Sequence, residues 1–141
     1  MEGFFDELTG GNTTEVKVVL ASIVAALAVY QVALMAVGWG RVKLPFLTPP
    51  AASIVHRAIG DSLVVIIVLV AVMCVSYFEI EDDATLHVVA AIALLAVLAF
   101  KIVVVRWWHG LSRLLPALGI TVWALIGVTV ATSAGSFLAD K

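Results

Sequence analysis

Four stretches of this chain are apolar almost without interruption, and the polar residues gather between them. The runs extend from about Val16 to Trp39, Ser53 to Phe78, Leu86 to Trp108 and Leu114 to Phe137. Each is long enough to cross a hydrocarbon core of about 30 Å, which takes ~20 helical residues. Between them lie only Gly40 to Ala52, Glu79 to Thr85 and His109 to Arg113. Connections this short force sequential helices to run antiparallel. The pattern therefore predicts an all-α, integral membrane up-down-up-down four-helix bundle over residues 15–141. Residues 1–14 form an acidic N-terminal segment, and its Phe4, Phe5 and Leu8 suggest a short interfacial helix.

Local signals mark the ends of the runs. Pro49 and Pro50 cannot continue a helix, and Ser53 then offers an N-cap for the second span. Thr85 offers the same for the third, after the acidic turn Glu79–Ile80–Glu81–Asp82–Asp83. Pro116 falls near the first turn of the fourth, where a missing N–H costs least. Trp39, Trp107 and Trp108 predict an aromatic belt at one interface, with Tyr77 and Phe78 at the other.

Composition agrees with the pattern. Of 141 residues 63% are hydrophobic and 13% charged, with a mean hydropathy of +1.16. A soluble domain of this size would be left with large sticky patches, so lipid must solvate most of this surface. The acidic start (Glu2, Asp6, Glu7) lacks the basic n-region of a secretory signal, so the first apolar run is expected to be retained. A lone Cys74 excludes an intrachain disulfide, and the absence of CxxCH excludes covalent c-type haem attachment. The few basic residues are explained by topology, which dismisses nucleic acid as a partner. No nucleophile–base set or phosphate loop appears.

Charge is sorted along the chain. Arg41, Lys43, Arg57, Arg106 and Arg113 lie on one side, with Lys101 able to snorkel toward them. Glu2, Asp6, Glu7, Glu15, Glu79, Glu81, Asp82, Asp83 and Asp140 lie on the other, against only Lys17 and Lys141. The positive-inside rule then puts the basic loops in the cytoplasm and both termini outside the cell membrane.

Ionisable residues at membrane depth are costly and each needs a reason. His56 falls about one turn into the second span, and His109 ends the third on the same side. At about 1.5 Å per residue the two come out at similar depth on antiparallel neighbours. Two imidazoles facing each other between bundle helices are what a bis-histidine haem requires, and Lys43, Arg57, Arg106 and Arg113 supply cations for its propionates. Iron ligation by His56 and His109 stands beside a plainer reading, in which both are interfacial residues with polar tips among the headgroups. His87 starts the third span at the far face and reads as a helix-start residue. Asp61 could pair with Arg57 or Lys101, or serve as a proton relay. Tyr30 and Gln31, near the middle of the first span, are expected to make interhelical hydrogen bonds.

The segment Ser53-Ile54-Val55-His56-Arg57-Ala58-Ile59-Gly60 gives the pattern S-x-x-H-R-x-x-G. It resembles the signature of the cytochrome b membrane anchor of succinate dehydrogenase, over about eight residues. That resemblance implies a quinone site at Ser53 and Arg57, with His56 near a haem edge. It departs at Ile59, where the family has Ser or Thr, and the anchor has three spans rather than four. More loosely, the chain is similar to small four-helix membrane cytochromes of the ferric-reductase and cytochrome b type. Histidines spaced as in two-haem members are missing: fourteen positions after His56 stands Val70, and after His87, Lys101. The expected function is electron transfer by one b-type haem, with quinone as a further ligand and a redox partner subunit or a second copy as partner. The alternative is a haem-free accessory subunit or a small oligomeric transporter or channel.

Overall fold

The computed structural model describes residues 2–76 and 85–135. The belt residues Tyr77 and Phe78, the acidic turn and the end of the fourth run to Phe137 lie outside the described residues. Five α-helices follow one another: α1 (Glu2–Thr9), α2 (Thr13–Gly38), α3 (Pro49–Ser76), α4 (Thr85–Arg106) and α5 (Leu115–Val130). A 3-10 turn, His109–Leu114, leads into α5, and a π turn, Ala131–Gly135, follows it. Four helical stretches are long and apolar enough to cross a membrane: Thr13–Gly38, Pro49–Ser76, Thr85–Arg106 and His109–Ser133. The fold class is all-α, as the apolar runs predicted. Contacts divide the chain into two compact units, Gly3–Cys74 and Val75–Lys141.

In the first unit, α1 meets α2 at a corner made by Gly10 (φ 61°) and Gly11 (φ 83°). A Cβ would strain both positions. The corner is locked by side chains: Thr13 donates its hydroxyl to Asp6 Oδ1 at 2.9 Å, and Thr9 and Thr13 hydroxyls lie 3.0 Å apart. At its other end α2 stops in a Schellman motif. Gly40, at φ 69°, gives its N–H to Val37 O, while Arg41 N–H reaches Ala36 O, each at 2.9 Å.

The start of α3 corrects the sequence reading. Ser53 does not cap it; the helix begins at Pro49, and Ala52 N–H already bonds Thr48 O at 2.9 Å. Proline cannot continue a helix but can open one, because first-turn N–H groups have no intrahelical acceptor anyway. Helices α2 and α3 then pack through Leu34, Val37 and Ala52, with Leu47, Val55 and Ile59 against them. As position rises along α2 from Gln31 to Val37, partners on α3 fall from Gly60 and His56 to Ala52, so the pair is antiparallel.

In the second unit, α4 buries Ala90, Leu94 and Leu98, one stripe at i+4 spacing, and α5 buries Val122 and Ile126. Pro116 stands at the start of α5, as predicted. Along the spans most hydroxyls fold back on their own helix. Ser22, Ser62, Thr121, Thr129, Thr132 and Ser133 each donate to a carbonyl three or four residues earlier. In hydrocarbon no water can satisfy them, so the preceding turn does. Three of them cluster at residues 129–133, where the ladder loosens into the π turn, and such back-bonding bends helices.

Candidate functional site

His56 lies seven residues beyond Pro49, about 10 Å along α3. It shares the face that carries the buried Ala52, Leu63 and Ile67, which is the face packed on α2. The residue is half-buried, and the Nδ1 edge of its ring is enclosed. Its main-chain oxygen accepts a 2.9 Å hydrogen bond from Gln31 Nε2 across the α2–α3 contact. Gln31 is only 9% exposed, which bears out the interhelical role predicted for it. Its neighbour Tyr30 is 46% exposed, and its side chain points away from this packed face.

Ser53, Arg57 and Asp61 stand on a different face of α3. With Ile54 and Ala58 they line a shallow groove, all five exposed. The i, i+4, i+8 spacing stacks a hydroxyl, a guanidinium and a carboxylate along one outer edge, one or two positions round from His56. Lys43 is exposed in the connector between α2 and α3, beside a turn in which Leu47 N–H bonds Leu44 O.

The second unit carries His109, Arg106 and Arg113, and here too the sequence reading needs a correction. His109 is not the end of the third span. The helix closes at Arg106, Trp107 and Trp108 both give their N–H to Val103 O, and Trp108 leaves helical geometry at φ −107°, ψ 62°. His109 then opens the 3-10 turn, exposed, with Arg106 just before it and Arg113 within the turn. Trp108 packs edge-on against Phe100 at a ring distance of 6.5 Å, which holds the turn against α4.

His87 has a partner that the sequence did not suggest. Its Nδ1 lies 3.0 Å from Thr132 Oγ1, joining the first turn of α4 to the π turn after α5. The signal was available only as topology: in an antiparallel pair, the start of one helix meets the end of the next. No group of three or more His, Cys, Asp or Glu side chains gathers as a metal site among the described residues. A pair of axial histidines would not need one.

These features define an all-α, multi-pass membrane protein that keeps a half-buried imidazole and a buried amide on packed helices long and apolar enough to span a bilayer. The chain belongs to the family of unknown function DUF6529, whose model matches residues 5–141. No curated protein and no solved structure matches it.

Proposed function

We propose that this chain is a membrane electron-transfer protein that holds one b-type haem through His56 and His109. The observation that carries this reading is His56 itself, an ionisable ring half-buried on a spanning helix whose main chain is gripped by Gln31. A neutral imidazole is the axial ligand that a b-type haem iron takes. His109 heads an exposed turn bracketed by Arg106 and Arg113, cations suited to propionates, and Lys43 and Arg57 add two more. A bound haem supplies a one-electron ferric–ferrous couple; the chain's own part is to ligate, to neutralise carboxylates and to exclude water. The groove of Ser53, Arg57 and Asp61, floored by Ile54 and Ala58, suits a quinone, whose carbonyls need donors and whose tail needs apolar contact. The charge sorting supports a cell-membrane location with basic loops in the cytoplasm and both termini outside.

A second reading is favoured by how little of each span the chain buries. Only 28, 17, 22 and 11% of the four spanning windows is buried. Such bare helices suit a haem-free accessory subunit or an oligomeric transporter or channel, with a partner subunit or second copy against them. A visible spectrum of the purified protein, oxidised and then dithionite-reduced, separates the two. A Soret band that shifts on reduction, with resolved α and β bands, supports the haem reading. A featureless spectrum after expression with haem precursor overturns it.

A further inference from the structure

The connector between α2 and α3, residues 39–48, is folded by its own backbone bonds and still leaves its large apolar side chains uncovered. At the Schellman turn Val42 N–H joins Arg41 N–H on Ala36 O, at 3.2 Å. A second turn, Leu44–Leu47, is closed by Leu47 N–H on Leu44 O at 3.3 Å, with Pro45 where its fixed φ suits a turn. Leu47 then packs on Leu34, Val37 and Ala52. The connector is therefore held against the ends of two spanning helices. Yet Phe46, at the top of the second turn, is 80% exposed, and Trp39, Val42 and Leu44 are exposed as well.

Four large apolar side chains uncovered together on an ordered loop mark an interaction surface. Arg41 and Lys43 alternate with them, both exposed, and no acidic residue stands between Glu15 and Asp61. Aromatic rings interleaved with cations suit the boundary between headgroups and acyl chains, where rings sink and cations meet phosphate. That boundary lies where α2 and α3 end, since both are long and apolar enough to span a bilayer. Leu47 and Thr48 tie the turn to Pro49, the first residue of α3, which keeps it at the level of the lipid headgroups. We propose that the connector docks on anionic phospholipid, with Trp39 and Phe46 among the upper acyl groups and Arg41 and Lys43 on the phosphates. The proposal is independent of haem, whose ligand and propionate set includes neither Arg41 nor Phe46.

The test puts a photoreactive benzoylphenylalanine in place of Phe46, which keeps an aromatic ring there. The full chain is irradiated in vesicles of equimolar phosphatidylglycerol and phosphatidylcholine. Adducts of lipid mass should form, with phosphatidylglycerol enriched by about fivefold, the scale of one cation's attraction to an anionic surface. Arg41→Gln with Lys43→Gln should keep the lipid adducts and bring the two lipids to parity. Parity with both cations present, or enrichment that survives their loss, overturns the anionic preference. Absence of lipid adducts overturns the docking itself. So does a predominant adduct between two copies, or to a soluble protein when the same probe is irradiated in cells.

Discussion

His87 and Thr132 share a hydrogen bond, Nδ1 to Oγ1 at 3.0 Å, between the first turn of α4 and the turn after α5. Thr132 Oγ1 also lies 2.8 Å from Val128 O and 3.2 Å from Thr129 O on its own helix. With its proton given to one of those carbonyls the hydroxyl accepts from a protonated His87 Nδ1; with an unprotonated Nδ1 it donates to the ring instead. His87→Asn keeps a donor near the Nδ1 position and should retain stability. His87→Ala should cost about 1 kcal/mol, the usual net worth of such a bond. The coupling is the sharper test. In a double-mutant cycle with Thr132→Val, measured by reversible unfolding in detergent or bicelles, the losses should be clearly less than additive. Additive losses would mean that the two side chains do not meet.

Gln31 and Tyr30 are adjacent polar residues that the structure treats differently. Gln31→Leu removes the bond to His56 O and should destabilise the α2–α3 pair by about 0.6–1 kcal/mol, the range for hydrogen bonds between membrane helices. Tyr30→Phe removes a hydroxyl from a half-exposed side chain and should change stability by less than about 0.5 kcal/mol. The same unfolding assay reads both, and an equal loss at the two positions would contradict the packing face assigned to α2.

How far the sequence could be read depends on the range of the interaction concerned. Span number and helical class were legible because a run of ~20 apolar residues has few other solutions. Pro116 was legible too, since first-turn proline is a rule of local backbone geometry. The start of α3 was misread by one turn because Pro49 and Pro50 carry two opposite local meanings, stop and start. The third span was carried on to Trp108 because apolar character continues through Trp107 and Trp108, whereas the helix closes at Arg106 and the backbone departs from helix at Trp108. Gln31 was recognised as an interhelical group, but its acceptor is a main-chain oxygen, which no pattern of side chains encodes. Likewise, Thr132 stands 45 residues from His87 and becomes its partner only through antiparallel pairing.

Backbone conformation gives a prediction independent of any side-chain contact. Gly40 closes α2 at φ 69°, and its added Cβ would meet nothing within 4 Å. The cost of Gly40→Ala should therefore be purely conformational, about 1 kcal/mol, with Gly40→Asn less costly because asparagine tolerates the left-handed region. Equal stability of the alanine and glycine proteins in thermal unfolding would mean that the Schellman turn is not formed.

The proposed ligation of haem by His56 and His109 makes a set of spectral predictions. His56→Ala and His109→Ala should each abolish the low-spin haem spectrum, while His87→Ala should leave it intact, because that imidazole is engaged with Thr132. Arg57→Gln and Arg113→Gln should retain ligation but lower the reduction potential, since each removes a cation that favours the reduced, less positive haem. Full haem content in either of the first two variants would refute the ligand assignment.

Orientation can be decided with the chain's own chemistry. Cys74 is its single cysteine, so Cys74→Ser gives a thiol-free background for single probes. Asn12, exposed at the corner of α1 and α2, and Lys43, exposed in the connector before α3, lie at opposite ends of α2. The chain's charge asymmetry predicts that Asn12→Cys reacts with a membrane-impermeant maleimide in intact cells and that Lys43→Cys reacts only after permeabilisation. The reverse pattern would put the basic loops outside. It would also place Lys43 and the start of α3 on the external side, where a cytoplasmic reductant could not reach them, and an electron-transfer role would then need a donor outside the cell or in the membrane.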